Sequence, residues 1–401
     1  MTSSQKDLLS ILTFQLFGKS KSFADIDWNG VYQESKVQAV SLYAYEVAKK
    51  ECHLDDLMQR WNKTSLGITA ENIRVFHNHS LITQWMYEVD IPCVILKGCA
   101  SAYYYNQPFL RCMGDVDFIV PEEFIEKADT VLISKGFNKL KRKHISHLVY
   151  FGDNAHYELH FDIPGIPDGE NGEVVRSYFS DIFEKSNRIQ NEGSPCSIPS
   201  KFHHGLILLL HTVHHLTGEG IGLRHLCDWA VFENTISNDD FIDLFEKPLK
   251  RIGLWKFAKI LTSICIKYLG ADKKDWAMDV DVLIVDSLME DILNSGNFGR
   301  KDINRKKETY LISSRGRNGV GKGSRVKQLI ISVNEIVYVQ HPLIKKFKIL
   351  LPIGWFIFSI NHLIRIITRK THVSNINYVY KDAKRRRDIY SHLGIFETSD
   401  F

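Results

Sequence analysis

The chain has 401 residues, of which 44% are hydrophobic and 24% are charged. These values are ordinary for a globular protein, and the length is sufficient for two or three domains with a large core. The seven cysteines are odd in number and scattered without a Cys-x-x-Cys pair, which argues against a disulfide or zinc framework. The first residues lack the basic segment and long apolar run of a secretion signal, so a cytoplasmic location is expected.

Charge is distributed unevenly along the chain. Residues 301–401 hold 20 Lys and Arg against 7 Asp and Glu, a local net charge of +13 within a total of +4. This basic module is either a solvated surface or a contact for an acidic partner. It contains the most apolar run of the chain, Ile349–Ile360, which is shorter than the ~20 residues that span a bilayer. Because basic residues flank the run, it is either a buried core helix or a contact with an anionic membrane surface.

The apolar periodicity changes along the chain. In residues 1–88 apolar positions recur three to four residues apart, which predicts helices. In residues 89–165 the segments are shorter and richer in β-branched and aromatic residues, which predicts an α/β unit. Its predicted elements are strands at Cys93–Leu96, Val116–Val120, Leu148–Phe151 and Tyr157–Ile163, and a helix at Pro121–Lys135. Helical periodicity returns at Pro199, and Arg188–Pro199 is predicted to be a linker because it contains Gly193, Ser194 and Pro195.

The most informative segment is Leu110–Val120, in which two aspartates lie one residue apart on an apolar strand. Side chains alternate across a strand, so Asp115 and Asp117 share one face. Two carboxylates roughly 7 Å apart repel each other unless a cation lies between them. A pair of divalent metal ions would supply that charge.

A glycine turn precedes the two aspartates. Cys93–Ser101 is predicted to form a short strand, a turn at Gly98 and the start of a helix. This geometry offers free backbone N–H groups to a phosphate, and Gly98 would let the backbone approach a triphosphate because it has no Cβ. Lys97 either neutralises phosphate charge or is a solvated residue at the strand end. Together the two segments predict a site for a metal-bound nucleoside triphosphate.

Three motifs resemble a known family. They are Leu96-Lys97-Gly98, Arg111-x-x-Gly114-Asp115-x-Asp117 and Tyr157-Glu158-Leu159-His160, supported by His211–Asp228. The chain is similar to the uncharacterised bacterial nucleotidyltransferases of the DNA-polymerase-β-like superfamily over roughly residues 70–235. The resemblance implies a small mixed sheet with helices, and a third acid on a strand beside the Asp-x-Asp. It also implies transfer of a nucleoside monophosphate from an NTP to an acceptor hydroxyl or phosphate, with release of pyrophosphate.

The resemblance assigns Asp115, Asp117 and Glu158 as metal ligands and catalytic residues, with Mg²⁺ or Mn²⁺ as the cofactor. Carboxylates that hold two Mg²⁺ ions about 3.5–4 Å apart can stabilise both the attacking and the leaving oxygens. Glu158 is either a metal ligand or the base for the acceptor hydroxyl, and Asp162 is the alternative third acid. The other interpretation of Glu158, His160 and Asp162 is the polar outer face of an amphipathic strand.

The residues expected to contact the nucleotide are Lys97, Gly98, Ser101, Arg111 and His160. The sequence departs from the family pattern at Cys99, because the family usually has Ser or Gly directly after this glycine. In this chain the first serine after Gly98 is Ser101. Arg111 matches the family's arginine before Gly-Asp-x-Asp. It either binds phosphate through its forked guanidinium or braces the carboxylates.

A histidine-rich segment follows the α/β unit. His211 and His215 share a helix face with ligand-like spacing, but the glutamate of an HExxH motif is absent. These histidines are therefore interpreted as lining the nucleotide or acceptor cleft. On the next helix, Arg224 and Asp228 are predicted to pair at i, i+4.

A second glycine-rich segment resembles a phosphate-binding loop at Gly316-x4-Gly321-Lys322. The next residue, Gly323, stands where Ser or Thr is needed for magnesium, and no apolar strand runs directly into the segment. We therefore do not place the NTP site there.

The predicted fold class is α+β: a small mixed-sheet nucleotidyltransferase domain with N-terminal helices and a C-terminal helical domain. The predicted parts are an N-terminal helical region (1–88), the catalytic domain (89–190), a helical domain (191–300) and a basic C-terminal helical module (301–401). The predicted function is metal-dependent nucleotidyl transfer to an acceptor that the sequence does not identify. The alternative is a non-catalytic nucleotide- or partner-binding protein with the same fold. A position peripheral to the membrane is compatible with either function.

Overall fold

A computed structural model describes most of the chain. The described residues are 1–19, 23, 25–140, 146–153, 155–191, 194–302, 305, 333, 334, 337, 338, 341, 344, 347–367 and 376–397. The glycine-rich segment at Gly316–Gly323 therefore lies outside the described residues.

The N-terminal region is helical, as its periodicity predicts. Its helices are α1 (Ser3–Phe17), α2 (Trp28–Val37), α3 (Ser41–Glu51) and α4 (Asp55–Tyr87). Helix α1 begins with a capping box, in which the Thr2 hydroxyl accepts from the Gln5 N–H and the Gln5 side chain accepts from the Thr2 N–H. Helix α4 has two aspartates in its first turn, where negative charge is favoured by the helix dipole. Helix α4 is 33 residues long and contacts strands of the sheet.

A five-stranded sheet lies at the centre of the α/β unit, with the strand order β1-β2-β5-β4-β3. The strands are β1 (Val94–Ile95), β2 (Val116–Ile119), β3 (Asn138–Lys139), β4 (His147–Gly152) and β5 (Ala155–His160). Strands β2 and β5 are parallel and the other neighbours are antiparallel, so the sheet is mixed. The register places Asp117 opposite Glu158 and His147 opposite His160.

The sheet has one apolar face. Phe118, Tyr157 and Leu159 are completely buried in a core that also contains side chains of α4 and of helix α6 (Ile125–Ser134). Because alternate residues point to opposite faces, burying these side chains turns Asp117, Glu158 and His160 to the other face. The short helix α5 (Cys99–Ala102) follows β1 and is buried.

The rest of the described chain is mainly helical. Its helices are α7 (Glu170–Ser177), α8 (Lys201–Thr217), α9 (Leu223–Asn234), α10 (Asn238–Phe241), α11 (Lys247–Arg251), α12 (Trp255–Ile264), α13 (Val282–Ser295), α14 (Leu351–Ile367) and α15 (Ile376–Leu393). Side chains from α8, α9, α12 and α13 share one hydrophobic core with α1–α3. The predicted fold class is confirmed, whereas the predicted domain boundaries stay predictions.

The prediction of a linker at Arg188–Pro199 is wrong. Strands β6 (Asn187–Asn191) and β7 (Ser194–Ile198) pair there in an antiparallel two-stranded sheet, and β7 packs against α4 and β1. Cys196 is buried, and its Sγ lies 2.8 Å from Cys99 Sγ. Gly, Ser and Pro residues mark tight turns as well as linkers, and the composition alone does not separate the two.

A buried carboxyl in α9 makes stability depend on pH. Glu233 is completely buried, and its Oε2 lies 3.5 Å from Lys274 Nζ. Burial raises the pKa of Glu233 to about 8, with Lys274 opposing the shift. In the unfolded chain Glu233 loses its proton above the ordinary pKa of glutamate, whereas in the folded protein it keeps the proton up to a pH of about 8. The free energy of unfolding therefore falls as the pH rises between these two values.

We expect Glu233→Gln to remove this pH dependence. Between pH 5 and 7.5 the wild type should lose about 1 kcal/mol of unfolding free energy per pH unit relative to the variant. Urea denaturation at both pH values measures it. Glu246→Gln is the matched control, because Glu246 is partly exposed in an i, i+4 pair with Lys250. Parallel curves for Glu233→Gln and the wild type would contradict the prediction.

Candidate active site

Six polar side chains converge on the face of the sheet opposite the apolar core. We call them the carboxylate–imidazole cluster: Asp115, Asp117, His147, His156, Glu158 and His160. They come from three neighbouring strands, β2, β5 and β4, and from the residue that precedes β2. The cluster follows from the alternation of side chains and from a register that sets polar positions of adjacent strands side by side.

Asp117 is the buried carboxylate of the cluster, with 5% of its surface exposed. Its Oδ1 lies 2.8 Å from Lys97 Nζ and 3.0 Å from His160 Nε2. Burial alone would raise the pKa of Asp117, but the Lys97 ammonium and the His160 contact outweigh it and hold the pKa well below its usual range. Asp117 is therefore ionised and already neutralised by protein cations.

Glu158 lies between two imidazoles. Its Oε2 is 3.5 Å from His160 Nε2 and 3.6 Å from His147 Nε2. His160 is almost completely buried, which opposes protonation, but its contacts with Asp117 and Glu158 outweigh burial and raise its pKa. The predicted third acid therefore lies in the same cluster as Asp117.

Asp115 lies at the exposed end of the cluster, where half of its side chain is accessible. Its Oδ1 is 2.6 Å from His156 Nδ1, and this hydrogen bond raises the pKa of His156. The His156 ring stacks on Phe151 with 4.4 Å between ring centroids. Asp115 therefore has a fixed imidazole partner and an accessible side.

Two groups of donors in the described part of the chain have the spacing needed to hold a metal ion. One consists of Asp115, His156 and Glu158, and the other of His147, Glu158 and His160. Within each group the ligand atoms lie within 4.8 Å of one another, and Glu158 belongs to both. The predicted ligands Asp115 and Glu158 are thus brought together, while Asp117 is adjacent through His160 and Lys97.

Lys97 connects the cluster to α8. Its Nζ lies 3.2 Å from His211 Nε2, which is in turn 2.8 Å from His215 Nε2. Burial lowers the pKa of His211, and the nearby Lys97 lowers it further, so this imidazole is neutral. The histidines of α8 and α9 lie outside the two donor groups found in the described residues, and their cleft-lining role stays a prediction.

Gly98 and Ser101 lie at a closely packed turn. Gly98 has a φ of 59°, and a Cβ there would collide with the imidazole of His79. Both requirements call for glycine at this position. Ser101 is 1% exposed, and its Oγ has no hydrogen-bond partner among the described residues. The predicted contacts of both residues with a triphosphate stay predictions.

Arg111 has a structural partner that the sequence did not indicate. Its Nε and Nη2 lie 2.7 and 2.8 Å from Oδ1 and Oδ2 of Asp228, and the Tyr105 hydroxyl donates to the same carboxylate at 2.7 Å. The predicted partner of Asp228, Arg224, instead donates from Nη1 to the Cys112 carbonyl at 3.4 Å. Arg111 therefore fixes the segment before Asp115 to α9, and its predicted phosphate contact stays a prediction.

Asp162, the alternative third acid, lies outside the cluster, whereas the cluster contains two histidines that the sequence did not indicate. Asp162 accepts from Arg176 Nη2 at 2.8 Å and is in neither donor group. His156 precedes Glu158 by two residues, so alternation would have placed it on the same face if β5 had been predicted to begin at Ala155. His147 could be recognised only from the pairing of β4 with β5.

The cluster borders a pocket of about 450 Å³ between α4 and the sheet. Asp115 and His156 lie in its wall, together with Arg74, Asn78 and Phe151. A volume of this size is within the usual range for small-molecule sites. The wall offers a guanidinium that is paired with Glu71, an amide and an aromatic ring beside the accessible carboxylate.

The fold and the site define an α+β protein with candidate metal-binding donors on the polar face of a mixed sheet. Residues 24–270 match the model of a family described as uncharacterised nucleotidyltransferase, and this chain belongs to that family. Membership indicates transferase activity on a nucleotide. A solved nucleotidyltransferase-like antigenic protein from Paracoccidioides brasiliensis is 14% identical, with a TM-score of 0.33, and the match covers 51% of this chain and 96% of that one. No curated protein matches the chain.

Proposed function

We propose that this protein is a metal-dependent nucleotidyltransferase of the DNA-polymerase-β-like superfamily. It transfers a nucleoside monophosphate from an NTP to an acceptor hydroxyl or phosphate and releases pyrophosphate. The observation that carries the proposal is the convergence of Asp115, directly before β2, and Glu158, in β5, into one donor group. Family membership supports the same reaction class.

The donor group of Asp115, His156 and Glu158 fits a divalent ion. Two carboxylates offer the oxygen ligands that Mg²⁺ and Mn²⁺ prefer, and the exposed side of Asp115 leaves room for water and phosphate oxygens. A bound ion would neutralise negative charge on the phosphates during transfer. His156 orients Asp115 through their 2.6 Å contact.

Lys97 supplies a second positive charge to the site. In the structure its ammonium neutralises Asp117 and contacts His211. The same ammonium can turn to a triphosphate, because the Lys97 side chain is flexible and partly exposed. Glu158 is positioned to accept the proton of an acceptor hydroxyl if it is not held by the ion.

The direct test is turnover with each labelled NTP. Purified protein is incubated with ATP, GTP, CTP or UTP and Mg²⁺ or Mn²⁺, and pyrophosphate release is measured. Label is then sought on the protein itself, on RNA and on small sugars and antibiotics. We expect metal-dependent pyrophosphate release with at least one NTP. The absence of release with every NTP and acceptor would contradict the proposal.

The alternative is a non-catalytic nucleotide-binding protein with the same fold. The close packing of Gly98 against His79 favours it, because it restricts the approach of a triphosphate to the turn. Calorimetric titration with metal and each NTP separates the two functions. Binding without pyrophosphate release identifies the alternative, and binding with release identifies the enzyme.

The apolar run of the basic module lies at the surface. Ile353, Phe356 and Ile360 recur at helical spacing in α14 and are 55%, 67% and 41% exposed. Gly354 is buried beside Val337 and Ile344, so another side of the helix is packed. Among the helices that the structure describes, none combines the length and apolar character required to cross a bilayer. We propose that the exposed side chains of Ile353, Phe356 and Ile360 contact an anionic membrane surface. A cytoplasmic location stays a prediction.

We expect the protein to sediment with vesicles that contain phosphatidylserine at low salt, and to be released as salt screens the basic residues. Ile353→Ser with Phe356→Ser should reduce the bound fraction, because each apolar side chain inserted into the interface adds to binding. Leu66→Ser is the control, since Leu66 is a 63% exposed residue of α4. Equal sedimentation with neutral phosphatidylcholine vesicles would contradict this proposal.

A further inference from the structure

Imidazoles make up half of the carboxylate–imidazole cluster, and this composition is unusual for a magnesium site. Mg²⁺ takes oxygen ligands and retains several waters, whereas imidazole nitrogen is a ligand of zinc and other transition metals. His147 and His160 supply two nitrogens to one donor group, in which Glu158 is the only carboxylate. The group has the two-histidine, one-carboxylate composition of many catalytic zinc sites.

The geometry of this group is compact. His147 Nε2 and His160 Nε2 both approach the same oxygen of Glu158, at 3.6 and 3.5 Å. These separations are too long for short charge-assisted hydrogen bonds. Ligand atoms bound at 2.0–2.1 Å around a tetrahedral ion lie roughly 3.3 Å from one another. The two nitrogen–oxygen separations are thus close to the spacing that a shared ion requires, and all three ligand atoms lie within 4.8 Å of one another.

The surroundings support such a site. His160 Nε2 also contacts Asp117, a buried carboxylate that would compensate the charge of an ion bound nearby. The His147 and Glu158 side chains are 12% and 19% exposed, so the group is partly open to solvent. An open side leaves a coordination position for water or for an acceptor oxygen, as catalytic zinc sites require.

We propose that His147, Glu158 and His160 bind a divalent transition-metal ion of the zinc and cobalt class, in preference to Mg²⁺. This site is distinct from the position at Asp115 and His156 that the proposed function assigns to the nucleotide-bound ion, although the two share Glu158. When bound, such an ion lowers the pKa of a coordinated water or hydroxyl. On binding, His160 Nε2 would exchange its proton and its hydrogen bond with Asp117 for the ion, and Asp117 would stay beside it as a compensating charge. His147 is held by its place opposite His160 in the sheet.

The test measures metal binding without nucleotide. Protein stripped with a chelator is titrated with Co²⁺, whose visible absorption reports nitrogen ligands and coordination geometry. We expect one Co²⁺ per chain, retained in about a 100-fold excess of Mg²⁺ and displaced by Zn²⁺. The absence of a bound-Co²⁺ spectrum in the wild type, or displacement by an equal concentration of Mg²⁺, would overturn the proposal without any variant.

Variants then locate the ion. His147→Ala should weaken Co²⁺ binding by about 10- to 100-fold or more. His77→Ala is the matched control, because His77 is exposed on α4. Circular dichroism verifies that both variants fold. Unchanged Co²⁺ affinity in folded His147→Ala would overturn the assignment. NTP turnover is measured separately. Co²⁺ binding without turnover would refute only the proposed function. Turnover without Co²⁺ binding would refute only this inference.

Discussion

Glu158→Gln is expected to reduce nucleotidyl transfer by about 100-fold or more, since even loss of residues that support metal ligands commonly costs 10- to 100-fold. Glu158 belongs to both donor groups, and glutamine keeps its size while removing its charge. Asp115→Asn should have a comparable effect, because it removes the accessible carboxylate of the first group. Initial rates of pyrophosphate release at saturating NTP and metal measure the loss.

The control for this prediction is Asp162→Asn. Asp162 follows β5 and is bound by Arg176, outside both donor groups. Its substitution should change the rate by less than about threefold, while circular dichroism and thermal unfolding show that all three variants are folded. If Asp162→Asn is as inactive as Glu158→Gln, the assignment of the third acid to Glu158 is wrong.

The second large effect is on stability. Arg111→Met is expected to lower the free energy of unfolding by about 3–5 kcal/mol, because it leaves the Asp228 carboxylate buried without its bidentate cation. The pair is bidentate, and its side chains are only 7% and 8% exposed. Burial would raise the pKa of Asp228, but Arg111 outweighs burial and lowers it, so the carboxylate is charged in the fold. Urea denaturation measures the change.

A double variant separates the pair from its surroundings. Arg111→Met with Asp228→Leu removes both charges, so it should be less destabilised than the sum of the single variants. The surface control is Arg176→Met, which breaks a pair with Asp162 that is 40% exposed on the arginine side and should cost less than about 1 kcal/mol. Simple additivity at Arg111 and Asp228 would show that the charges do not stabilise each other.

The local pattern predicts much of the fold. The alternation of apolar residues in Val116–Val120 predicts a buried strand with Asp117 on one face, and the structure has β2 there. The periodicity of residues 1–88 predicts the helices that lead to the sheet. Pairing between strands is harder to predict from the sequence, because it depends on tertiary packing rather than on local periodicity. The β6–β7 pair was missed for this reason, since its Gly, Ser and Pro residues also suit a linker.

The candidate site is predictable only in part. Asp115, Asp117 and Glu158 follow from sequence motifs, and the structure brings their strands together. His147 enters the cluster through the register of β4 against β5, which no short motif specifies. The contact of Arg111 with Asp228 spans 117 positions, and the i, i+4 rule wrongly favoured Arg224 as the partner. Long-range ion pairs of this kind depend on how helices dock against the sheet.

The most direct test of the account is the position of a bound metal ion and nucleotide. Crystals grown with Mn²⁺ and a non-hydrolysable NTP analogue would locate the ion by its anomalous scattering. We predict a Mn²⁺ peak within coordination distance of the Asp115 and Glu158 carboxylates, in contact with phosphate oxygens of the analogue. A nucleotide bound elsewhere, or Mn²⁺ that contacts neither carboxylate, would contradict the proposed active site.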